Sequence, residues 1–140
     1  MAINRARVWL GGFLGGIVWV AWSAIVEVAY LGHRYETAQN AGQFLKQSRY
    51  PFFMGQWILT LLILGVIMAH LYAWSRATSG PGARTALKIG FLVGFVAGFP
   101  NAFSQASWLP IARAFPLAWM LEIWVGTILA TLVAGFSYKD

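Results

Sequence analysis

Residues 87–108 read LKIGFLVGFVAGFPNAFSQASW, an apolar run long enough to cross a bilayer as a helix. Gly90, Gly94 and Gly98 recur every four residues, so they share one face of that helix. Glycine rows let membrane helices approach closely, because no side chain separates their backbones. We therefore expect residues 87–108 to form the central packing helix of a small membrane bundle.

Composition extends this prediction to the whole chain. The 140 residues are 59% hydrophobic and only 10% charged, whereas soluble domains are roughly 25% charged. A soluble chain of this size cannot bury so much apolar surface. Three further runs, at about 8–31, 52–75 and 115–136, also have the length of a membrane span. The sequence predicts an all-α, integral membrane four-helix bundle that forms a single domain over residues 1–140.

Several functional classes find no support in the sequence. The net charge of +6 is divided among short clusters between apolar runs, so we expect contact with anionic lipid and not with nucleic acid. Cysteine is absent, which removes thiol chemistry and disulfides. No H-E-x-x-H motif or phosphate-binding loop is present, and two glutamates with amides do not make a metal site. We expect a protein that is not an enzyme.

The basic residues also predict an orientation. Arg5 and Arg7 precede the first run as in a signal peptide, but that run continues to about Leu31, so we expect it to be retained as a span. Six basic residues fall on the side of the two termini and four on the other side. The six are Arg5, Arg7, Arg76, Arg84, Lys88 and Lys139. This bias predicts that both termini are cytoplasmic in a bacterial inner membrane.

The linker between the first two spans is the only long one. Thr37 is predicted to cap a short helix that runs to about Ser48 and lies along the membrane surface. Close helix packing is also predicted for the first span, where Gly12 and Gly16 belong to overlapping G-x-x-x-G pairs. Such pairs are compatible with packing inside the monomer or against another subunit.

Polar residues inside the spans form the candidate functional site. Because successive spans run in opposite directions, the predicted topology places the polar residues in one leaflet. They are Glu27, Gln56, Asn101, Ser104, Gln105 and Glu122. Three interpretations remain open: the glutamates pair with interfacial arginines such as Arg34, Arg49 or Arg113, the cluster binds a proton, cation or small polar ligand, or it contacts another subunit or cofactor.

His70 lies toward the opposite end of the second span, near Tyr72 and Trp74. A histidine in a membrane helix can ligate haem or the magnesium of a chlorin, or it can form a hydrogen bond within the bundle. Most of the tryptophans fall near span ends, as in an aromatic belt. No cofactor is predicted from these residues, although a lipid or pigment is compatible with them.

The layout resembles that of small four-span bacterial inner-membrane proteins, with a glycine-rich first span and a third span of the type Gly90-Phe91-Leu92-Val93-Gly94-Phe95. The resemblance implies an inner-membrane location and no particular activity. The chain is also similar to the small multidrug-resistance transporters in having a glutamate in its first span, but Glu27 lies near the end of that span and the first linker is longer than theirs.

Three functions are therefore expected, in order of preference. The first is a non-catalytic accessory or scaffold subunit that packs against other membrane subunits or further copies of itself. The second is a small oligomeric transporter or channel that uses Glu27 and Glu122. The third is an intramembrane protein that binds a lipid, quinone or pigment.

Overall fold

The computed structural model describes residues 3–138, and over that range the protein is all-α. Helix α1 (Arg5–Ala24) continues as a π-helical segment (Ile25–Tyr30), and α2 (Gly32–Asn40) follows in the first linker. The remaining helices are α3 (Phe53–Ser79), α4 (Ala83–Trp108) and α5 (Ala114–Ser137). Four helices, counting α1 with its π-helical segment as one, are long and apolar enough to cross a membrane, which confirms the prediction of four spans. Lys139, one of the residues used to predict the orientation, lies outside the described range.

The two ends of the bundle differ in their connections. The start of α1, the end of α5 and the short α3–α4 turn lie at one end of the bundle, called here the termini end. Residues 31–52 and 109–113 lie at the other end, the linker end. In the α3–α4 turn, Gly80 and Gly82 have φ values of +80° and +115°, which glycine adopts without a steric penalty. The Gly82 N–H donates to Tyr72 Oη at 2.9 Å, and the Thr85 hydroxyl donates to the Gly80 carbonyl at 2.8 Å. These bonds fix a tight antiparallel connection.

The predicted linker helix exists, but its predicted bounds were wrong. Helix α2 covers Gly32–Asn40, whereas the sequence predicted a helix from Thr37 to about Ser48. Thr37 lies inside α2, where its hydroxyl donates to the His33 carbonyl at 3.3 Å instead of capping a helix. The helix ends at Asn40, and Gly42 turns the chain away with a φ of +76°. The Gln43 N–H donates to the Ala38 carbonyl and the Gly42 N–H to the Gln39 carbonyl, which is a Schellman motif.

Helix α5, and not α4, occupies the centre of the bundle. Helix α5 contacts α1, α3 and α4, whereas α4 packs chiefly against α5 and only slightly against α3. The expectation that residues 87–108 form the central helix was therefore wrong. A single row of glycines gives α4 only one close face, and large side chains elsewhere on it, such as Phe91, Val96 and Phe103, are exposed to the surrounding lipid.

Glycine rows form the closest helix contacts. A Cβ added at Gly65 of α3 would lie 2.6 Å from Gly16 Cα, and one at Gly12 would lie 2.6 Å from Val66 Cα. On the other side of α5, a Cβ added at Gly90 would lie 2.6 Å from Ile128 Cα. Gly94 and Gly98 continue that row against Trp124 and Met120. The predicted glycine faces thus lie against helices of the same chain.

Candidate functional site

A carboxyl group is buried among three helices near the linker end of the bundle. Glu122 lies about two turns into α5 and is only 2% exposed. The Ser23 hydroxyl of α1 donates to Glu122 Oε1. The Trp57 indole N–H of α3 points at the same oxygen at 3.2 Å and at Ser23 Oγ, also at 3.2 Å. One carboxylate oxygen therefore joins α1, α3 and α5.

The second glutamate contacts the first. Glu27 lies in the π-helical segment, and its side chain is within hydrogen-bonding reach of the Glu122 carboxyl group. The segment is held by the wide π-type bond from the Leu31 N–H to the Val26 carbonyl at 2.9 Å. Single π-helical turns inside α-helices are frequent at functional sites. Ser23 and Glu27 are four residues apart, so both project toward α5.

An aromatic layer separates this carboxyl pair from the linker end. The Trp119 indole N–H donates to Tyr35 Oη at 2.8 Å, and the Tyr35 hydroxyl hydrogen-bonds to Glu27. Burial raises the pKa of the Tyr35 phenol far above its usual value, and nearby Glu27 adds to that effect. Tyr35 therefore keeps its proton, and its O–H donates a hydrogen bond to the Glu27 carboxyl group. The Phe44 ring covers the layer, with its centroid 5.0 Å from that of Phe115.

Two tryptophans of α1 fix the position of Glu122 by hydrogen bonds to the backbone of α5. The Trp19 N–H donates to the Glu122 backbone carbonyl at 3.1 Å, and the Trp22 N–H donates to the Leu121 carbonyl at 3.1 Å. Trp19 can reach α5 only because residue 126 is glycine: a Cβ there would lie 1.9 Å from the Trp19 indole nitrogen. The packing of α1 on α5 and the position of the carboxyl group are thus set by the same contact.

Four of the predicted site residues lie outside this cluster. Gln56 is exposed at the start of α3, and Asn101 and Ser104 are exposed on α4. Gln105 is half-buried on α4, which packs on the face of α5 that carries Trp124 and Thr127. Of the six predicted residues, the structure brings only Glu27 and Glu122 together.

The interpretation that the two glutamates pair with interfacial arginines was wrong. Within residues 3–138, the only ion pair is between His33 and Glu36, at 3.9 Å on the exposed side of α2. Arg34 lies instead over the Tyr30 ring, 5.1 Å from its centroid. Neither Glu27 nor Glu122 is therefore neutralised by a basic side chain from the described part of the chain.

Sequence analysis missed the partners of the carboxyl groups. Ser23 was placed on the same helix face as Glu27 by its four-residue spacing, but not as a partner of Glu122. Trp57 and Trp119 were grouped with the interfacial tryptophans, and their sequence positions give no further signal. Tyr35 was assigned to a connector, because its approach to Glu27 depends on the path of α2.

The cluster can hold a proton more readily than a metal. Among the described residues there is no group of three or more His, Asp or Glu side chains that is suited to bind a metal ion. Glu122 Oε1 already accepts from Ser23 and Trp57, and Glu27 approaches the same carboxyl group. Two carboxyl groups in contact cannot both ionise easily in a medium of low dielectric constant, so they favour sharing one proton.

His70 is remote from the carboxyl pair. It lies on α3 toward the termini end, where its Nδ1 is 2.9 Å from the Val66 carbonyl oxygen. Its ring makes edge contacts with Trp9 and Trp74. His70 is therefore not part of the carboxyl cluster.

Comparisons with protein-family models, curated proteins and solved structures found no match to the chain. The resemblance to small bacterial membrane proteins therefore extends only to the four apolar spans.

Proposed function

We propose that the protein is a small proton-coupled membrane transporter or channel in which Glu27 and Glu122 bind and release one proton. The observation that carries this proposal is the contact between two carboxyl groups inside the bundle, with no basic side chain of the described residues paired to either. Intramembrane carboxyl groups are costly, and they commonly mark proton or ion pathways. A shared proton removes most of that cost while it is bound.

The surroundings of the pair support an exchangeable proton. Ser23 and Trp57 donate to Glu122 and stabilise its ionised form, whereas burial favours its neutral form. Tyr35 donates to Glu27 from the linker end. Opposing influences of this kind keep a carboxyl group able to change its protonation state. Tyr35, which the Trp119 N–H orients, is the group through which a proton passes between the pair and the linker end: its oxygen accepts one proton while its O–H gives another to Glu27.

The orientation belongs to the same proposal. The described termini end carries five basic residues, Arg5, Arg7, Arg76, Arg84 and Lys88, against four at the linker end. Both termini are then cytoplasmic, by the rule that basic residues concentrate on the inner side. In a bacterial inner membrane, the carboxyl pair would lie in the outer leaflet and exchange protons with the outer medium.

Proton flux in reconstituted vesicles tests the proposal. Purified protein is incorporated into liposomes containing a pH-sensitive dye, and a pH gradient is imposed with and without a membrane potential. Wild-type protein should dissipate the gradient, and Glu122→Gln and Glu27→Gln should each abolish that flux. Glu36→Gln is the matched control, because Glu36 is exposed on α2. Wild-type vesicles no leakier than empty ones, or full flux in Glu122→Gln, would contradict the proposal.

A second function, an accessory subunit of a membrane complex, is favoured by the outer part of α4. Asn101 and Ser104 are exposed between Lys88 and Trp108, a stretch about 30 Å long in a helix. Polar side chains that face hydrocarbon are unfavourable, and a neighbouring membrane subunit or a second copy can supply hydrogen bonds to them.

Native mass spectrometry after extraction in mild detergent tests this second function. Wild-type protein should retain a partner subunit or a second copy, and Asn101→Leu combined with Ser104→Ala should release it. Ser107→Ala is the control, because the Ser107 hydroxyl already bonds the Phe103 carbonyl at 2.8 Å. A wild-type chain that is always monomeric would rule out an accessory role.

A further inference from the structure

The aromatic layer beside the carboxyl pair consists of four rings, and each ring contacts the other three. The Phe44 ring centroid lies 5.6 Å from that of Tyr35, 5.0 Å from that of Phe115 and 6.2 Å from that of Trp119. The Phe115 centroid lies 5.0 Å from Tyr35 and 5.9 Å from Trp119. The hydrogen bond from the Trp119 N–H to Tyr35 Oη completes the set. The four rings therefore form one closed cluster at the linker end.

Phe44 is the one ring of the layer that does not belong to a helix. The residues on both sides of it are bonded back to α2. The Gln43 N–H donates to the Ala38 carbonyl at 2.9 Å, and the Gln39 side-chain amide donates to the Leu45 carbonyl at 2.9 Å. Leu45 itself is exposed, whereas the Phe44 ring is half-buried against the layer. The backbone of the linker thus fixes Phe44 in place.

The layer offers very little to a dissolved cation. Tyr35 Oη is the only side-chain oxygen among its four rings, and the buried residues packed with them, such as Leu31, Ala38 and Ala118, are apolar. Cations that cross a protein exchange their hydration shell for rings of oxygen ligands, and apolar constrictions exclude them. One phenol oxygen cannot replace a hydration shell.

A proton has no such requirement, because it can pass along a single hydroxyl group. Tyr35 Oη already accepts from Trp119 and donates to Glu27. Its oxygen can take a proton from a hydronium ion at the linker end while its own O–H proton goes to the Glu27 carboxylate. A neutral water molecule is left outside and a neutral carboxyl group inside. Rotation of the hydroxyl then restores the starting arrangement.

We propose that the aromatic layer makes the pathway specific for protons, and that Phe44 is its specificity-determining residue. Phe44 keeps the approach to Tyr35 too narrow for hydrated Na⁺ or K⁺, while protons still reach the Tyr35 hydroxyl. This inference rests on the proposed function, in which Glu27 and Glu122 exchange one proton. It adds that the transported ion is the proton alone.

Diffusion potentials in vesicles of phosphatidylethanolamine and phosphatidylglycerol test the inference. A pH gradient and a K⁺ gradient are imposed in turn, and a voltage-sensitive dye reports the potential that each one generates. Wild-type protein should respond to the pH gradient only. In Phe44→Ala, the ratio of proton to K⁺ permeability should fall by about tenfold or more, because the apolar constriction is opened. Leu45→Ala is the matched control, since Leu45 is the exposed neighbour of Phe44.

The permeability ratio does not depend on how much of the protein is folded, so a merely structural role of Phe44 would leave it unchanged. Phe44→Leu keeps an apolar side chain of smaller size and should give a ratio between those of wild type and Phe44→Ala. The wild-type ratio in both Phe44 variants, or an equal fall in Leu45→Ala, would overturn this inference while the proposed proton function stands. Wild-type vesicles that respond to neither gradient would overturn the proposed function and this inference together.

Discussion

Helix α5 packs closely against α1 and against α4 along two interfaces, called here the α1–α5 seam and the α4–α5 seam, and only the first contains a pair of carboxyl groups. The α1–α5 seam contains Gly15, Gly126 and Ala130 beside Glu122, and the α4–α5 seam contains Gly90 and its neighbours against Thr127 and Ile128. A Cβ at Gly15 would lie 2.7 Å from the Ala130 carbonyl oxygen, and one at Gly90 would lie 2.6 Å from Ile128 Cα.

The difference between the seams lies in their polar groups. In the α4–α5 seam, the Thr127 hydroxyl donates to the backbone carbonyls of Gly90 and Trp124, at 2.9 and 2.7 Å. Its hydrogen-bonding capacity is therefore satisfied by the backbone. In the α1–α5 seam, the Glu122 carboxyl group meets a second carboxyl group. Small residues explain why helices approach closely in both seams, and only the carboxyl pair distinguishes a candidate site from ordinary packing.

The largest effect is expected at Gly126. Gly126→Ala places a methyl group on the Trp19 indole, so Trp19 must leave its bond to the Glu122 carbonyl and α1 must move. We expect a loss of about 3 kcal/mol or more in the free energy of unfolding, because overpacking and a broken buried bond add together. Denaturation in mixed detergent micelles measures this free energy of unfolding. Gly55→Ala is the matched control, since an added Cβ there meets nothing within 4 Å and should change stability by less than about 0.5 kcal/mol.

A smaller loss is expected in the other seam. Gly90→Ala pushes α4 away from Ile128 and should cost about 1–3 kcal/mol. Because α4 contributes nothing to the carboxyl pair, proton flux per folded molecule should stay at the wild-type level. A loss of proton flux per folded molecule in Gly90→Ala would show that the α4–α5 seam also contributes to flux, which contradicts the difference between the two seams.

Removing the carboxyl group and neutralising it should have different consequences. Glu122→Ala leaves the Ser23 hydroxyl without its acceptor beside a cavity, while the Trp57 N–H keeps Ser23 Oγ, and it should cost about 2–3 kcal/mol. Glu122→Gln keeps an oxygen for both donors, so stability should fall by less than about 1 kcal/mol while proton flux is lost. Thermal unfolding and vesicle flux are measured on both variants. A glutamine variant as unstable as the alanine variant would indicate a structural role.

The smallest effect is expected at Tyr35. Tyr35→Phe removes the hydroxyl between Trp119 and Glu27 and should cost about 1 kcal/mol, the usual value of one hydrogen bond. Proton flux should slow without being abolished, because the carboxyl pair itself is intact. Tyr30→Phe is the control, since Tyr30 is exposed at the end of the π-helical segment. Identical flux in Tyr35→Phe and wild type would remove Tyr35 from the proton route.

The sequence predicted how deep each residue lies in the membrane better than it predicted which neighbouring helix its side chain faces. Apolar run length located the four spans, and alternating span direction placed Glu27 and Glu122 at the same depth, where the structure brings them into contact. The same depth argument also included Asn101 and Ser104, which face away from the pair because α4 lies on another side of α5. Depth follows from the position along one helix, whereas direction depends on which helices become neighbours.

The end of α2 shows a local signal that was overlooked. Gly42 marks a helix C-terminus because it adopts a positive φ without strain, yet Thr37 was taken as a helix start. The contact of Tyr35 with Glu27 depends on this helix following the π-helical segment directly. The π-type bond from Leu31 to Val26 has no signature in the residues themselves.

Infrared difference spectroscopy of the reconstituted protein during a pH titration reports directly on the shared proton. The carbonyl stretch of a protonated, buried carboxyl group should be present in wild-type protein at neutral pH and should be absent in Glu122→Gln, with Glu36→Gln unchanged. A wild-type spectrum at neutral pH that contains only ionised carboxylates would contradict the shared proton, and with it the proposed function.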